Sequence, residues 1–314
     1  MDNYKALLKD VMDNGVIMKN RTGTNTISVI SRDLRWDLSK GFPAVTTKKL
    51  AWKAVVGELL WFLSGSNNIK DLRKLTEIGD NDFCIWQKNL DEYNARSIEK
   101  KQLIESSVNA LDEQFVENVK SSLGYIYGSV WRKKKVYDES HNMPSTVDQI
   151  SVLIDMINLV KHDPSHPAAR RMIVDTWAVE AHHNDQLCAL PPCHYGFQVF
   201  VRDGKLSLKW MQRSVDLFLG SVFNIASYAL LTHILAKITG LEVGELIFSG
   251  GDVHIYEDHI EQVKEQISRE SYELPTLEMP EQIALYQLDR MEFSASDFKL
   301  VNYKHHGKLS ANMS

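Results

Sequence analysis

The sequence predicts an α+β fold, on three observations. Stretches with helical spacing of apolar residues are interspersed with short strand-like runs, without a regular strand–helix–strand alternation. Two of those runs, residues 197–201 and 206–211, flank Asp203-Gly204, a pair suited to a tight hairpin and hence to antiparallel neighbours. No G-x-G-x-x-G or P-loop sequence is present, so no dinucleotide or triphosphate motif argues for a doubly wound sheet. One domain is expected over residues 1–314, without internal repeats or a Gly/Ser/Pro linker, and with polar insertions near residues 90–122 and 133–145.

The elements follow in order. Residues 4–18 place Leu7, Leu8, Val11 and Met12 at helical spacing. Arg21-Thr22-Gly23-Thr24 reads as a turn, and residues 26–30 alternate as a strand does. Residues 53–63 predict a helix apolar on most sides and therefore buried, which makes its carboxylate, Glu58, conspicuous. A buried, unpaired carboxylate is costly and tends to take up a proton. Residues 90–122 carry Lys100, Lys101, Glu105, Asp112, Glu113 and Glu117 and read as a solvated helical excursion, while 133–145 reads as a polar loop. Strands are expected at 172–177, 197–201 and 206–211, a long apolar helix at 223–238, and a short strand at 246–248 closed by Gly250-Gly251.

Composition narrows the function classes. Lys and Arg total 36 against 41 Asp and Glu, a net charge of −5, and 44% of residues are hydrophobic, as in ordinary globular proteins. A mildly acidic chain has no electrostatic reason to hold DNA or membrane phosphates, so neither a membrane nor a specific nucleic acid is an expected partner. Cys84, Cys188 and Cys193 are too few for a disulfide framework and favour a reducing compartment. The N-terminus lacks the apolar core of a signal peptide, and apolar runs such as residues 59–63 are far short of a membrane span. A cytoplasmic protein is expected.

Candidate chemistry concentrates in Leu190-Pro191-Pro192-Cys193-His194. Two prolines fix the backbone just before a cysteine. From this neighbourhood alone Cys193 reads first as a packed structural thiol, because a nucleophilic role requires a nearby positive charge or base to lower its pKa. Cys188 reads as structural. Cys188, Cys193, His182, His183 and His194 match no zinc spacing, and no metal is expected. Arg213, at the end of the 206–211 strand, and Arg170-Arg171, before the 172–177 strand, could supply charge. Arginine forks match phosphate oxygens two at a time, so arginines from separate segments would together make a phosphate site.

The order of several further blocks resembles the thymidylate synthase family over nearly the whole chain, residues 4–303. These are Arg21-Thr22-Gly23-Thr24, Phe42-Pro43-Ala44-Val45-Thr46-Thr47-Lys48-Lys49 and Glu58-Leu59-Leu60-Trp61-Phe62-Leu63. Tyr127-Gly128 with Trp131-Arg132, residues 190–194, and Gln212-Arg213-Ser214 with Asp216 follow. Residues 223–228 and Gly250-Gly251-Asp252 with His254 and Tyr256 complete the set.

The resemblance implies a mixed β-sheet packed with helices, one sheet face forming a homodimer interface. It implies folate-dependent one-carbon transfer to C5 of dUMP, with 5,10-methylene-tetrahydrofolate as cosubstrate. Cys193 would add to C6 of the uracil. Arg213 would favour its thiolate and, with Arg21, Arg170, Arg171 and Ser214, hold the phosphate, Arg170 and Arg171 reaching the partner's site. Asn224 would read the uracil amide, and His254 and Tyr256 the 3′-hydroxyl. Asp216 would bind the pterin, with Trp86, Leu190 and Phe223 as apolar wall. Glu58 would move protons and assist conversion of the donor to its iminium, with Tyr127 and His194 lining the same cavity.

Some positions depart from the family pattern. Val130 replaces a glutamine, Trp177-Ala178-Val179 replaces Trp-Asn-Pro, and about three extra residues lie around 182–185. The C-terminus, Ala311-Asn312-Met313-Ser314, is more polar and apparently one residue shorter. Lid closure excludes water from reactive intermediates. The resemblance implies thymidylate synthase chemistry first, giving dTMP and dihydrofolate; the altered C-terminus and Val130 point towards dUMP 5-hydroxymethylase, an activity associated with phages, as the alternative. The host cytoplasm is then the expected location, and a nonenzymatic nucleotide- or RNA-binding relative is the remote third reading.

Overall fold

The computed structural model describes residues 1–20, 23–108, 112–182 and 187–312. The chain begins with helix α1 (Asp2–Asn14) and strands β1 (Val16–Met18) and β2 (Thr26–Asp37). Helices α2 (Trp52–Ser64), α3 (Ile69–Thr76), α4 (Gln87–Arg96), α5 (Ile98–Val108), α6 (Glu113–Ser121) and α7 (Tyr127–Arg132) lead to a hairpin, β3 (Lys134–Asp138) and β4 (Met143–Val147). Then come α8 (Gln149–His162), β5 (Ile173–Asp175), α9 (Val179–His182), β6 (His194–Arg202), β7 (Lys205–Asp216), α10 (Gly220–Thr239) and β8 (Glu242–Tyr256). The chain continues through α11 (Ile260–Ser268), β9 (Thr276–Glu278), α12 (Leu285–Asp289) and β10 (Lys299–Val301).

Six strands form the main sheet in the order β1-β2-β8-β7-β6-β5. Only β7 and β8 run parallel among them, and α10 is the crossover that parallel neighbours require. The fold is therefore α+β with a mixed sheet, as the sequence predicts. Helix α10 packs against β7 and β8 on one side and α2 on the other, which is why it is apolar around its circumference. It is long and apolar enough to cross a membrane, yet 72% of its apolar window is buried inside the fold. Trp210 of β7 stacks on Tyr228 of α10 with ring centroids 5.1 Å apart, and Trp36 of β2 stacks on Trp210 at 6.2 Å.

A transverse crease crosses the sheet beside the cysteine of the Pro-Pro-Cys segment. In β7 the buried positions are Leu206, Leu208, Trp210 and Gln212, then the parity switches to Val215. In β8 it switches from Leu246 and Phe248 to Val253 and Ile255 across the two glycines. In β6 the register slips between His194 and Gly196, and in β2 inward Val29 gives way to Trp36 past Ser31, whose φ is 52°. The pairings Arg32↔Gly250, Gln212↔Gly250 and His194↔Gln212 put these irregularities side by side. A Cβ on Gly250 would lie 2.6 Å from the Phe248 ring, and one on Gly251 would lie 2.9 Å from the Arg213 carbonyl oxygen. Glycine is what lets the strands approach there.

Several boundaries differ from the sequence reading. The helix expected over 4–18 stops at Asn14, because Gly15 is extended and Val16–Met18 pair with β2. Gly250-Gly251 does not close the strand at 246–248; β8 runs 15 residues straight through the crease. The polar loop at 133–145 is the β3–β4 hairpin, whose strands expose most of their residues. The excursion at 90–122 is helical but not simply solvated: Leu90, Tyr93, Lys100 and Val116 are buried against the body.

Candidate active site

The crease places Cys193 immediately before β6, with Arg213 on the neighbouring strand. The prolines offer no backbone N–H but keep their carbonyls as acceptors, and both are used: Arg213 Nε donates to Pro192 O at 2.9 Å and Nη2 to Pro191 O at 3.3 Å. The Arg213 N–H donates to Cys193 O at 2.8 Å, and the Cys193 N–H donates to Tyr127 Oη at 2.8 Å. The nucleophile segment is thus tied to β7 and α7 at once. Trp177 lies under the guanidinium, 5.6 Å from ring centre to Cζ. Cys193 is partly exposed, whereas Cys84 and Cys188 are buried. Partial exposure beside a cation is the setting in which a thiol becomes reactive, which favours the nucleophilic reading of Cys193 over the packing one.

Tyr127 is brought here by close packing of α7 on α2: a Cβ on Gly128 would sit 2.7 Å from the Phe62 carbonyl oxygen. The Tyr127 ring stacks on Phe62 at 4.8 Å and on His194 at 4.1 Å. Burial pushes its phenol well above the ordinary range, with the nearby Cys193 thiol adding to the effect. His194 Nδ1 lies 2.7 Å from Tyr228 Oη, and burial pulls the imidazole pKa down to about 3. His194 is therefore a neutral support behind Tyr127 at physiological pH.

Glu58 of α2 faces the same region. Trp86, just before α4, donates its Nε1–H to Glu58 Oε1 at 2.6 Å. The side chain retains some exposure along its length, but enclosure of the carboxyl group pushes its pKa up to about 7, with the Trp86 hydrogen bond opposing the shift. The sequence reading expects a buried, unpaired carboxylate here; the structure instead pairs it with Trp86.

Asn224 on α10 reaches a network that fixes which way its amide points. Trp210 Nε1–H can only donate, so the atom it meets at 3.3 Å is Gln212 Oε1. Gln212 Nε2 donates to Ser214 O at 3.0 Å, and Asn224 Nδ2 donates to Gln212 Oε1 at 3.0 Å. Among the described residues no hydrogen bond occupies the Asn224 carbonyl oxygen or its second N–H. In sequence Gln212 appears only as the neighbour of Arg213 in the Gln212-Arg213-Ser214 block; its role comes from contacts that the fold creates.

Asp216, at the end of β7, accepts the backbone N–H groups of Phe218 and Leu219 on Oδ1, both at 3.1 Å. No hydrogen bond joins Oδ2 to any described residue. Leu190 and Phe223 are partly buried against the core and keep apolar surface exposed. His254 Nδ1, buried and without a hydrogen-bond partner among the described residues, lies 3.5 Å from Asp252 Oδ1. Tyr256 packs edge-on against His254 at 5.3 Å. Lys48, not singled out from sequence, is buried over the Phe218 ring at 3.7 Å, and burial lowers its pKa to about 8.

The remaining candidates stand apart. Arg170 and Arg171 are exposed beside β5, and neither side chain has a hydrogen bond or ion pair to a described residue. Arg21 lies outside the described residues, as do His183 and Asp185 of the extra segment. Val130 is fully buried and packs with Ala178 and Ala181 in a small apolar cluster, so its hydrophobic side chain matches its neighbours and is no sign of a wetter cleft. The C-terminal tail is docked through Asn312: its carbonyl oxygen lies 2.8 Å from His259 Nε2, and Gln262 donates to Ser310 O at 3.3 Å. Met313 and Ser314 lie outside the described residues.

A cysteine whose backbone is held by an arginine and a buried tyrosine, with a carboxyl group of raised pKa near that tyrosine, suits an enzyme that adds sulfur to an anionic substrate and moves protons. A family model described as "Thymidylate synthase" matches residues 2–314. The chain is 46% identical over 316 residues to the "Probable thymidylate synthase" of Escherichia phage T5, covering 100% of both chains. It is 42% identical over 321 residues to the "Thymidylate synthase" of Enterobacteria phage T4, covering 100% of this chain and 99% of that one. The "Thymidylate synthase" of Listeria monocytogenes serotype 4a (strain HCC23) is 39% identical over 334 residues, again covering 100% of both. The chain belongs to the thymidylate synthase family.

Proposed function

We propose that the chain is a thymidylate synthase, converting dUMP and 5,10-methylene-tetrahydrofolate into dTMP and dihydrofolate in the cytoplasm. The observation that carries this reading is the joining of Cys193, Arg213 and Tyr127 through one set of backbone hydrogen bonds. Cys193 adds to C6 of the uracil, and the resulting enolate makes C5 nucleophilic. Arg213 stabilises the thiolate and, with Ser214, binds the phosphate; Arg21 belongs to the same phosphate set. Asn224, oriented by Gln212, accepts from N3–H and donates to O4, the pattern of uracil rather than cytosine.

The folate supplies the one-carbon unit and then a hydride. Trp86, Leu190 and Phe223 form its apolar wall, and the open Oδ2 of Asp216 suits a pterin N–H group. Glu58 is half-ionised near neutral pH and can both give and take a proton at the donor and at the uracil. Tyr127 Oη sits at the Cys193 backbone and serves the C5 proton, with neutral His194 holding the ring in place. His254 and Tyr256 take the 3′-hydroxyl.

A homodimer completes the site. The outer sheet face exposes Ile30, at 86%, together with Ile173 and Tyr195, an apolar surface suited to a second copy. Arg170 and Arg171 would reach the partner's phosphate site across it. Hydroxymethylation is the less favoured outcome, since Val130 packs away in an apolar cluster and the tail is docked. Incubating enzyme, dUMP and methylene-tetrahydrofolate decides it: dTMP with equimolar dihydrofolate supports the synthase, and 5-hydroxymethyl-dUMP with unoxidised folate refutes it.

A further inference from the structure

The polar excursion at 90–122 has no part in the chemistry described above, yet it grips the segment that carries Cys193. Arg96, in the last turn of α4, donates from Nη2 to Cys188 O at 2.9 Å and to Ala189 O at 2.7 Å. Its guanidinium lies over the Tyr93 ring, 5.4 Å from the centroid, and Tyr93 is itself 4% exposed. The chain on the far side of the excursion pairs with the same segment. Tyr125 N–H donates to Leu187 O and Ala189 N–H to Leu123 O, both at 2.9 Å, and Gly124 bridges Cys188. A Cβ on Gly124 would lie 2.4 Å from the Leu187 carbonyl oxygen, so these backbones are in close contact.

We propose that Arg96 is a positioning residue for the nucleophile, and that the excursion serves as the platform on which residues 187–193 are held. This rests on the assignment of Cys193 as the nucleophile. From Ala189 the restraint passes through one residue to Pro191 and Pro192, whose rings limit backbone motion. The carbonyls of those prolines are the ones that receive Arg213. Arg96 thus sets the loop height at its start, and Arg213 reads it at its end. Release of the loop at Cys188 and Ala189 would move the Pro191 and Pro192 carbonyls, and with them the distance from Arg213 to the thiol. Small displacements of this kind are expensive in rate.

The test separates positioning from mere stability. Lys100 also ties the excursion down, donating to Ser122 O at 2.7 Å, but among the described residues it makes no hydrogen bond to residues 187–193 and serves as the structural control. Alkylation of Cys193 by iodoacetamide, located by peptide mass spectrometry, is followed from about pH 6 to about pH 9 together with kcat, dUMP affinity and Tm. Arg96→Ala is expected to slow alkylation about fivefold, raise its pH midpoint and lower kcat about tenfold, with dUMP affinity changed less than about twofold. Arg96→Lys, with one donor group, should recover part of each. Lys100→Met should lower Tm while leaving alkylation unchanged. Wild-type alkylation and kcat in a folded Arg96→Ala protein would overturn the proposal, as would losses in Lys100→Met equal to those in Arg96→Ala. If Arg96→Ala does not fold, wild-type alkylation in Arg96→Gln overturns it equally. Cys193→Ala distinguishes the two levels: turnover retained there would refute the nucleophile assignment itself, whereas an inactive Cys193→Ala beside a wild-type Arg96→Ala would refute only the platform.

Discussion

On the proposed reading, selectivity and proton traffic rest on single side chains. The Trp210 indole allows only one orientation of Gln212, and Gln212 allows only one of Asn224. Asn224→Asp should reverse that reading, lowering kcat/KM for dUMP by about 100-fold and narrowing the gap to dCMP, as competition between the nucleotides would measure. Glu58 gives a pH prediction in two parts. Its rate dependence should show an apparent pKa of about 7, absent in Glu58→Gln. Its stability effect has the opposite use. The folded chain holds the Glu58 proton more tightly than the unfolded chain, so stability from this group is full below pH 4.5 and is lost as pH rises towards about 7. Glu58→Gln should therefore gain Tm relative to wild type on going from acid to neutral pH; a constant difference in calorimetry would contradict it. Glu58 was legible in the sequence because an acid on an all-round apolar helix stands out. Gln212 was not, because its importance comes from a partner 12 positions away whose approach only the folded chain defines.

The strands and helices divide in the same way. Asp203-Gly204 and the apolar run of α10 announced themselves through local chemistry and periodicity. The crease did not, because a switch in inward parity can be seen only when four strands are aligned in register. Gly250-Gly251 reads locally as a strand end, since adjacent glycines more often punctuate a strand than bend one. Gly251→Ala is expected to push on the Arg213 carbonyl, costing about 1–3 kcal/mol of stability and slowing turnover by more than that loss would imply. Equal losses in Gly251→Ala and in a crease-distant variant of matched stability, by denaturant titration and steady-state kinetics, would argue against a crease that positions the site. At 90–122 the charges concealed a grip on the nucleophile segment, because Arg96 reads as one more solvated cation until its carbonyl partners are known.

For the molecule as a whole, the family was legible from ordered blocks spread along the chain, and the match spans residues 2–314. The resemblance assigns Arg170 and Arg171 to the partner's site, a role that a single chain does not display. Both are exposed, and neither side chain has a hydrogen bond or ion pair to a described residue, as expected of groups that serve a second copy. Mixing inactive Cys193→Ser with inactive Arg170→Ala/Arg171→Ala should restore up to about a quarter of the wild-type activity, because a mixed dimer has one intact site. Recovery of none would place those arginines elsewhere. The most direct measurement concerns sulfur and carbon. 5-Fluoro-dUMP carries fluorine where the C5 proton must leave, so with methylene-tetrahydrofolate it should halt the reaction while the nucleotide is attached to protein. Peptide mass spectrometry is expected to find the nucleotide on Cys193. Steady turnover of dUMP with no adduct, or an adduct on another residue, would contradict it.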